Sequence, residues 1–224
     1  MRCFPVKLRT VLAGLLFGVC ACTGVPGGHG AVSDAVVASG AAAAGPSAAA
    51  GGGSPEPTVP EDSRRQILRL AEENGNAPAG GAFTVVRYDS GYGPELIWQA
   101  ETTGAICSAS PRVVSRGCVP LADIAARPLP GVGIFIGAST YNGQWSVMLM
   151  SSGETIDQIS CQGRSFPARK GYSITVDGVL RTVYTVSVPR SLQGEYRVAV
   201  QRDGAVAEDR VTLDMGNVGD RVQC

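Results

Sequence analysis

The chain has 224 residues, with 19 basic residues balanced by 19 acidic ones. This balance argues against a nucleic-acid-binding protein, because such proteins carry a strongly basic face. The length suffices for one domain of ordinary size with its own hydrophobic core. The single histidine, His29, lies in a segment of Ala, Gly, Ser and Pro, so the part expected to fold offers no histidine for a catalytic relay. The commonest hydrolase designs are therefore excluded.

A basic head and an apolar run open the chain. Arg2, Lys7 and Arg9 precede residues 10–21, which carry no charge. A helix that crosses a bilayer needs about 20 apolar residues. The run is therefore too short for a membrane anchor and is typical of the hydrophobic region of an export signal.

The end of this run, Val19-Cys20-Ala21-Cys22, resembles the lipobox of bacterial lipoproteins. The resemblance implies a signal peptide over residues 1–21 and a diacylglycerol on Cys22, which holds the protein on the extracytoplasmic face of the cell membrane. The alternative is an ordinary secretory signal cut near Gly30-Ala31, which predicts a secreted protein. Arginine, alanine, glycine and valine are abundant while lysine is rare, a bias typical of a GC-rich genome, and the chain is similar to lipoproteins of actinobacteria.

Two segments separate the signal from the main domain. Residues 22–60 consist mostly of Ala, Gly, Ser and Pro and are predicted to form a disordered tether, because they have too little apolar surface to bury. The next segment, residues 61–75, is predicted to contain a helix over 63–74. Ser63 and Gln66 have capping-box spacing, and Asn74-Gly75 is a stop signal. The helix either docks on the domain through Ile67 and Leu70 or simply ends the tether.

Short β-like runs fill the predicted domain, residues 82–224. The hairpin sequences Asn142-Gly143, Asp177-Gly178 and Asp203-Gly204 join neighbouring runs, since both residues of a type I′ turn need positive φ. The pattern predicts an all-β fold, an antiparallel β-sandwich, with a barrel as the alternative. The candidate strands are 83–88, 95–101, 105–108, 113–119, 132–140, 144–150, 155–160, 174–176, 179–188, 196–201 and 205–214.

The segment Leu192-Gln193-Gly194-Glu195-Tyr196 resembles the tyrosine corner of immunoglobulin-like and fibronectin III-like domains. The resemblance implies that the Tyr196 hydroxyl bonds to backbone a few residues upstream. It concerns the architecture alone and carries no function. In the last strand, apolar residues occur at both parities between Val206 and Leu213, which predicts a bulge near Glu208-Asp209.

Four cysteines lie in the predicted domain: Cys107, Cys118, Cys161 and Cys224. An even number in an exported chain favours two disulfides. Three pairings are possible. Cys107–Cys118 is preferred, because a turn at Ser110-Pro111 brings the two strands together, and Cys161–Cys224 then follows. No CxxC spacing occurs, so we expect no metal site.

No catalytic motif stands out in the sequence. The calcium-loop and phosphate-loop patterns, the G-x-S-x-G elbow and the glycosylation sequon are all missing. The acidic pairs Glu95/Glu101 and Glu154/Asp157 are interpreted as solvated strand-edge or turn residues. We therefore expect no catalytic residue and no cofactor.

One segment after Cys161 is a candidate ligand contact: Arg164, Phe166, Arg169, Lys170 and Tyr172. Its mixture of cations and aromatic residues suggests a contact for an anionic partner, such as a cell-wall polymer or lipid headgroups. The favoured interpretation is an exposed loop in which Phe166 packs against the sandwich. Trp98 and Trp145 are further candidates, although their strand settings favour packing.

The sequence thus leads to one main hypothesis with two alternatives. The main hypothesis is a non-enzymatic, lipid-anchored extracytoplasmic module that binds a cell-wall polymer or an envelope protein. The first alternative is an envelope structural or assembly protein without a ligand. The second is an unrecognised hydrolase.

Overall fold

The computed structural model describes residues 58–88, 91–114, 117–214 and 222–224. These residues belong to one compact unit, Gly52–Cys224. The predicted signal peptide, the lipid site at Cys22 and the predicted tether as far as residue 57 lie outside the described residues. They therefore stay predictions.

The described chain is built mainly from β-strands, with two α-helices and one short 3₁₀ turn at Ala79–Gly81. The elements in chain order are α1 Glu61–Glu73, β1 Thr84–Val86, β2 Glu95–Gln99, β3 Ile106–Ala109, β4 Gly117–Val119, α2 Leu121–Ala125, β5 Gly131–Tyr141, β6 Gln144–Ser152, β7 Thr155–Cys161, β8 Arg164–Pro167, β9 Arg169–Val176, β10 Val179–Pro189, β11 Leu192–Arg202, β12 Ala205–Leu213 and β13 Val222–Gln223.

The strands form three sheets. The N-terminal sheet has the order β1-β2-β3-β4, the middle sheet β5-β6-β10-β9, and the C-terminal sheet β12-β11-β7-β8. Neighbouring strands in all three are antiparallel, and only the short β13 runs parallel to β11. The predicted all-β antiparallel sandwich is confirmed. The middle and C-terminal sheets form the sandwich, and the N-terminal sheet adds a layer that the sequence did not predict.

Tight turns set the connectivity of the sandwich. The three predicted hairpin turns are present, and the first residue of each has positive φ: 46° at Asn142, 50° at Asp177 and 52° at Asp203. A fourth turn, Gln162-Gly163, has the same geometry but was missed, because Gln is not a usual residue at this position. The four hairpins alternate between the middle and C-terminal sheets.

The middle sheet is buried on both faces. Along β6, Val147 and Leu149 join the core shared with the C-terminal sheet, whereas Met148 and Met150 join the core shared with the N-terminal sheet. Side chains of a strand point alternately to its two faces, so one apolar run supplies both cores. This arrangement explains why residues 147–150 of β6 are all apolar and do not alternate with polar residues.

Helix α1 covers the outer face of the N-terminal sheet with its buried residues Ile67 and Ala71. It begins at Glu61, two residues before the predicted start, and no side chain caps it. The capping-box prediction is wrong because Pro60 occupies the N-cap position, where its fixed φ suits the entry to a helix. None of the described helices is long and apolar enough to cross a membrane.

Two other local predictions are wrong. The strand predicted over residues 113–119 is limited to β4, and the short helix α2 was missed because five residues are too few to show a helical period. The predicted bulge at Glu208-Asp209 is absent, since β11 and β12 pair in unbroken register. The bulge was predicted because Val206 is out of phase with Val211 and Leu213. Val206 is 76% exposed at the hairpin end and takes no part in the core.

Both disulfides are present in the preferred pairing. Cys107 and Cys118 face each other on β3 and β4, with 4.0 Å between their Cα atoms. Cys161 at the end of β7 is bonded to Cys224, and the Cys224 amide donates to the carbonyl of Gln193 at 2.6 Å. The second bridge therefore holds the last residue against β11. Two disulfides are compatible with an extracytoplasmic or secreted protein.

Candidate functional site

The predicted contact segment is divided between two sheets. Arg164 and Phe166 lie on β8 in the C-terminal sheet, whereas Arg169, Lys170 and Tyr172 lie on β9 in the middle sheet. The loop prediction is therefore wrong. The reason is the tight Gln162-Gly163 turn, which leads the chain directly into β8, so that only Ala168 separates the two strands.

Phe166 on β8 packs in the sandwich core. Its side chain is buried, and its ring centroid lies 6.4 Å from that of Tyr196. Arg164 is exposed, with its guanidinium 5.5 Å from the Phe166 ring. This half of the predicted set offers one exposed cation and no aromatic surface for a ligand.

Both tryptophans are buried. Trp98 on β2 is 4% exposed, and its indole N–H donates to the Asn76 carbonyl at 2.7 Å. Trp145 on β6 is 7% exposed and belongs to the core between the middle and C-terminal sheets. The burial of both side chains favours a role in packing over contact with a ligand.

Arg169 and Lys170 meet a third cation, Arg87, which directly follows β1. The three side chains line a surface pocket of about 350 Å³, together with Val85 and Val86. We call this the basic pocket. Arg169 and Lys170 are exposed and Arg87 is half-buried, so the charged groups can meet solutes. No carboxylate belongs to the described residues that line it.

A buried threonine on β10 holds the two arginines side by side. The Thr185 hydroxyl donates a hydrogen bond to the carbonyl oxygen of Arg87. Its oxygen, Oγ1, lies 3.5 Å from the carbonyl oxygen of Arg169. Thr185 also pairs with Arg169 in the register of the middle sheet. The link joins residues 82 positions apart in the sequence through one side chain. The backbone on both sides of the basic pocket is therefore anchored to the same strand.

Gly171 allows β1 to approach β9. The register between β9 and β10 shifts at this residue, which forms a β-bulge between Lys170 and Tyr172. A Cβ atom at Gly171 would lie 2.6 Å from Cγ1 of Val86, closer than two carbon atoms can pack. A bulge redirects the neighbouring side chains. The bulge and the missing Cβ together bring Lys170 against the end of β1.

A second pocket, of about 520 Å³, adjoins the basic pocket and shares Val85 with it. Its apolar side chains are Val59, Phe83, Val85 and Leu96. We call it the apolar pocket. Arg64 of α1 also lines it, with the guanidinium 5.3 Å from the centre of the Phe83 ring. An apolar surface and a cationic surface therefore meet along one strand.

Tyr172 borders this region from the other side of β1. It lines a third pocket, of about 210 Å³, which also touches Phe83 and Trp98. Burial raises the pKa of Tyr172 above the ordinary value for tyrosine. The phenol therefore stays neutral at physiological pH and adds no negative charge near the cations.

Glu95 and Glu154, two of the acidic residues considered in the sequence, lie outside the basic pocket. Glu154, in the turn before β7, accepts a hydrogen bond from Arg202 at 2.8 Å, and Arg202 also donates to Asp209 at 2.7 Å. Burial is the main cause that raises the pKa of Glu154. Glu95 is fully buried and accepts hydrogen bonds from Tyr88 and Ser108.

The interpretation of Glu95 and Glu154 as solvated residues is therefore wrong. Both carboxylates are buried and hydrogen-bonded, one between two sheets and the other at a turn beside β11 and β12. The described residues contain no group of three or more acidic, cysteine or histidine side chains that could hold a metal ion.

Sequence reasoning found two of the three cations in the basic pocket and missed Arg87. Arg87 carries no motif, and it lies far along the chain from Arg169 and Lys170. The available signal was Gly171, because an isolated glycine in a strand indicates a bulge or the close approach of another backbone. That signal predicts a neighbour but does not identify which segment supplies it.

Comparison with protein-family models, with characterised proteins and with solved structures finds no match to this chain. No family relationship therefore bears on the function. The geometry around β1 and β9 is the structural basis for a functional proposal.

Proposed function

We propose that the protein is a non-enzymatic extracytoplasmic binding module, held at the membrane by a lipid on Cys22, that binds an anionic partner at the basic pocket. The observation that carries this proposal is the convergence of Arg87, Arg169 and Lys170 around one concave surface. The partner is an envelope component that carries phosphate or carboxylate groups, such as a cell-wall polymer or a lipid headgroup. The location is supported by the lipobox resemblance and by the two disulfides.

The charge arrangement favours an anion for a physical reason. Three cationic side chains converge on one pocket, and a bound anion gains charge-assisted hydrogen bonds from them. Arginine presents a planar fork of donors that fits phosphate and carboxylate groups, and lysine adds a compact charge. The pocket volume lies within the usual range for ligand sites, about 300–1,000 Å³.

The test is calorimetric titration of the chain with poly(glycerol phosphate), a soluble anionic polymer. We expect binding that weakens as salt is added, because exposed ion pairs are screened. The double substitution Arg169→Glu and Lys170→Glu should weaken binding at least tenfold. Arg164→Glu is the matched control, because Arg164 is an exposed cation two residues from Phe166 on the other sheet and outside the pocket.

Two results would contradict the proposal. The first is an absence of binding to the anionic polymer at micromolar protein. The second is equal weakening by the control and by the double substitution, since that outcome indicates a nonspecific charge effect and not a pocket.

A further inference from the structure

The surface along β1 changes from apolar to cationic in the direction of the strand. Side chains two residues apart in an extended strand point to the same side, so Phe83, Val85 and Arg87 form one row. The row passes from an aromatic ring through an aliphatic group to a guanidinium. It begins in the apolar pocket and ends in the basic pocket, and Val85 lines both.

From this continuity we infer that the ligand of the site is an anionic amphiphile: a lipid whose acyl chain lies in the apolar pocket and whose phosphate headgroup meets the basic pocket. The inference rests on the proposed function and narrows its ligand. A purely hydrophilic polymer would use the three cations and leave the apolar pocket empty.

The apolar pocket suits an acyl chain. Val59 and Leu96 line it from the segment before α1 and from β2, and Phe83 forms its aromatic wall. Arg64 stacks on Phe83, so its aliphatic stem covers apolar surface while its charge stays near solvent. Burying a hydrocarbon chain here removes apolar surface of both ligand and protein from water, which favours binding.

The basic pocket suits the headgroup at the adjoining position. Lys170 lies on the bulge of β9, and the backbone carbonyl groups of Arg87 and Arg169 both lie at the hydroxyl of Thr185. The backbone that carries the three cations is therefore fixed in place. Within the row only Arg87 is charged, and it lies beside Arg169 and Lys170, whereas Arg64 of α1 covers Phe83 at the other end.

The test uses three probes below their micelle concentrations, titrated calorimetrically into the full chain. Decyl phosphate has both parts of the proposed ligand, inorganic phosphate has only the charge, and decyl maltoside has only the chain. We expect decyl phosphate to bind at least tenfold more tightly than either of the other two. Similar affinities for decyl phosphate and inorganic phosphate would overturn the inference.

Two substitutions separate the halves of the site. Val59→Asn changes the apolar pocket in a segment outside regular structure, and it should weaken decyl phosphate binding at least fivefold without changing binding of poly(glycerol phosphate). Lys170→Glu should weaken binding of both. Arg164→Glu should change neither.

The outcomes distinguish the two proposals. Unchanged decyl phosphate affinity in the Val59→Asn variant, with Lys170→Glu still effective on both probes, overturns the amphiphile and retains the anion-binding module. Failure of both probes to bind, or no effect of Lys170→Glu on either, overturns the anion-binding module itself.

Discussion

Tyr196 and Tyr92 are both buried, but their hydroxyl groups have different surroundings. The Tyr196 hydroxyl is buried and has no hydrogen-bond partner among the described residues. The bond implied by the tyrosine-corner resemblance is therefore wrong here. Tyr196 lies within β11, between β7 and β12, so its ring enters the apolar core beside Phe166. Burial raises the pKa of Tyr196 to about 12.

Replacing each tyrosine by phenylalanine tests this difference. Tyr196→Phe removes a desolvated, unpaired hydroxyl and should leave stability unchanged or raise it by up to about 1 kcal/mol. Tyr92→Phe is the matched control, because Tyr92 is also buried and its hydroxyl accepts a hydrogen bond from Ser139 at 2.7 Å. That substitution should cost about 1 kcal/mol. Urea unfolding measures both, and a loss above 1 kcal/mol for Tyr196→Phe would show that its hydroxyl is bonded.

At the scale of elements, the site depends on how β1 meets β9. Local signals predicted several strands and three hairpin turns, because each turn is determined by two adjacent residues. The contact between β1 and β9 was not predictable in this way. It joins two sheets, and it requires the missing Cβ of Gly171 beside Val86.

Gly171→Ala tests the role of this contact. The new methyl group would overlap with Val86, which is buried, so β1 and β9 must move apart. We expect a loss of about 1–3 kcal/mol in the free energy of unfolding, as for an overpacked core, and weaker binding of anionic probes. Thermal unfolding and calorimetry measure the two effects.

The control is Gly137→Ala on β5, where a Cβ would meet no atom within 4 Å. It should change stability by less than 1 kcal/mol, since Gly137 lies in an exposed part of a strand. If Gly171→Ala proves as mild as this control, the close approach of β1 is not needed to form the basic pocket.

At the scale of the whole molecule, the proposal combines an anchor with a binding domain. The domain has helix α1 on one side of three stacked sheets, and its candidate site lies close to Thr58, where the described chain begins. A tether from a membrane lipid to this point would keep the site near the bilayer or the wall. This arrangement requires that Cys22 carry the lipid.

Cys22→Ala should release the protein from the membrane fraction and abolish the mass gain that accompanies acylation. Cys20→Ala is the control, because it leaves Cys22, the proposed site of lipid attachment, in place. Fractionation with mass spectrometry measures both properties. Unchanged membrane retention in the Cys22→Ala variant would exclude the lipid anchor.

The amino-acid sequence by itself determined the β class, the antiparallel hairpins and the preferred pairing of the four cysteines. The strands and hairpins follow from local rules that act over a few residues, namely alternation along a strand and positive φ in a two-residue turn. The pairing of the cysteines follows from a short turn between Cys107 and Cys118, which leaves Cys161 and Cys224 as the second pair.

Only the tertiary structure decided how the sheets stack and which residues share a site. Arg87 joins Arg169 and Lys170 because Thr185 and Gly171 bring two separate sheets together, and no local pattern encodes that approach. The same holds for Trp98 and Glu95, whose burial depends on α1 and on the middle sheet covering the two faces of β2. Burial and proximity are properties of the packed chain, because they arise from contacts between residues distant in sequence.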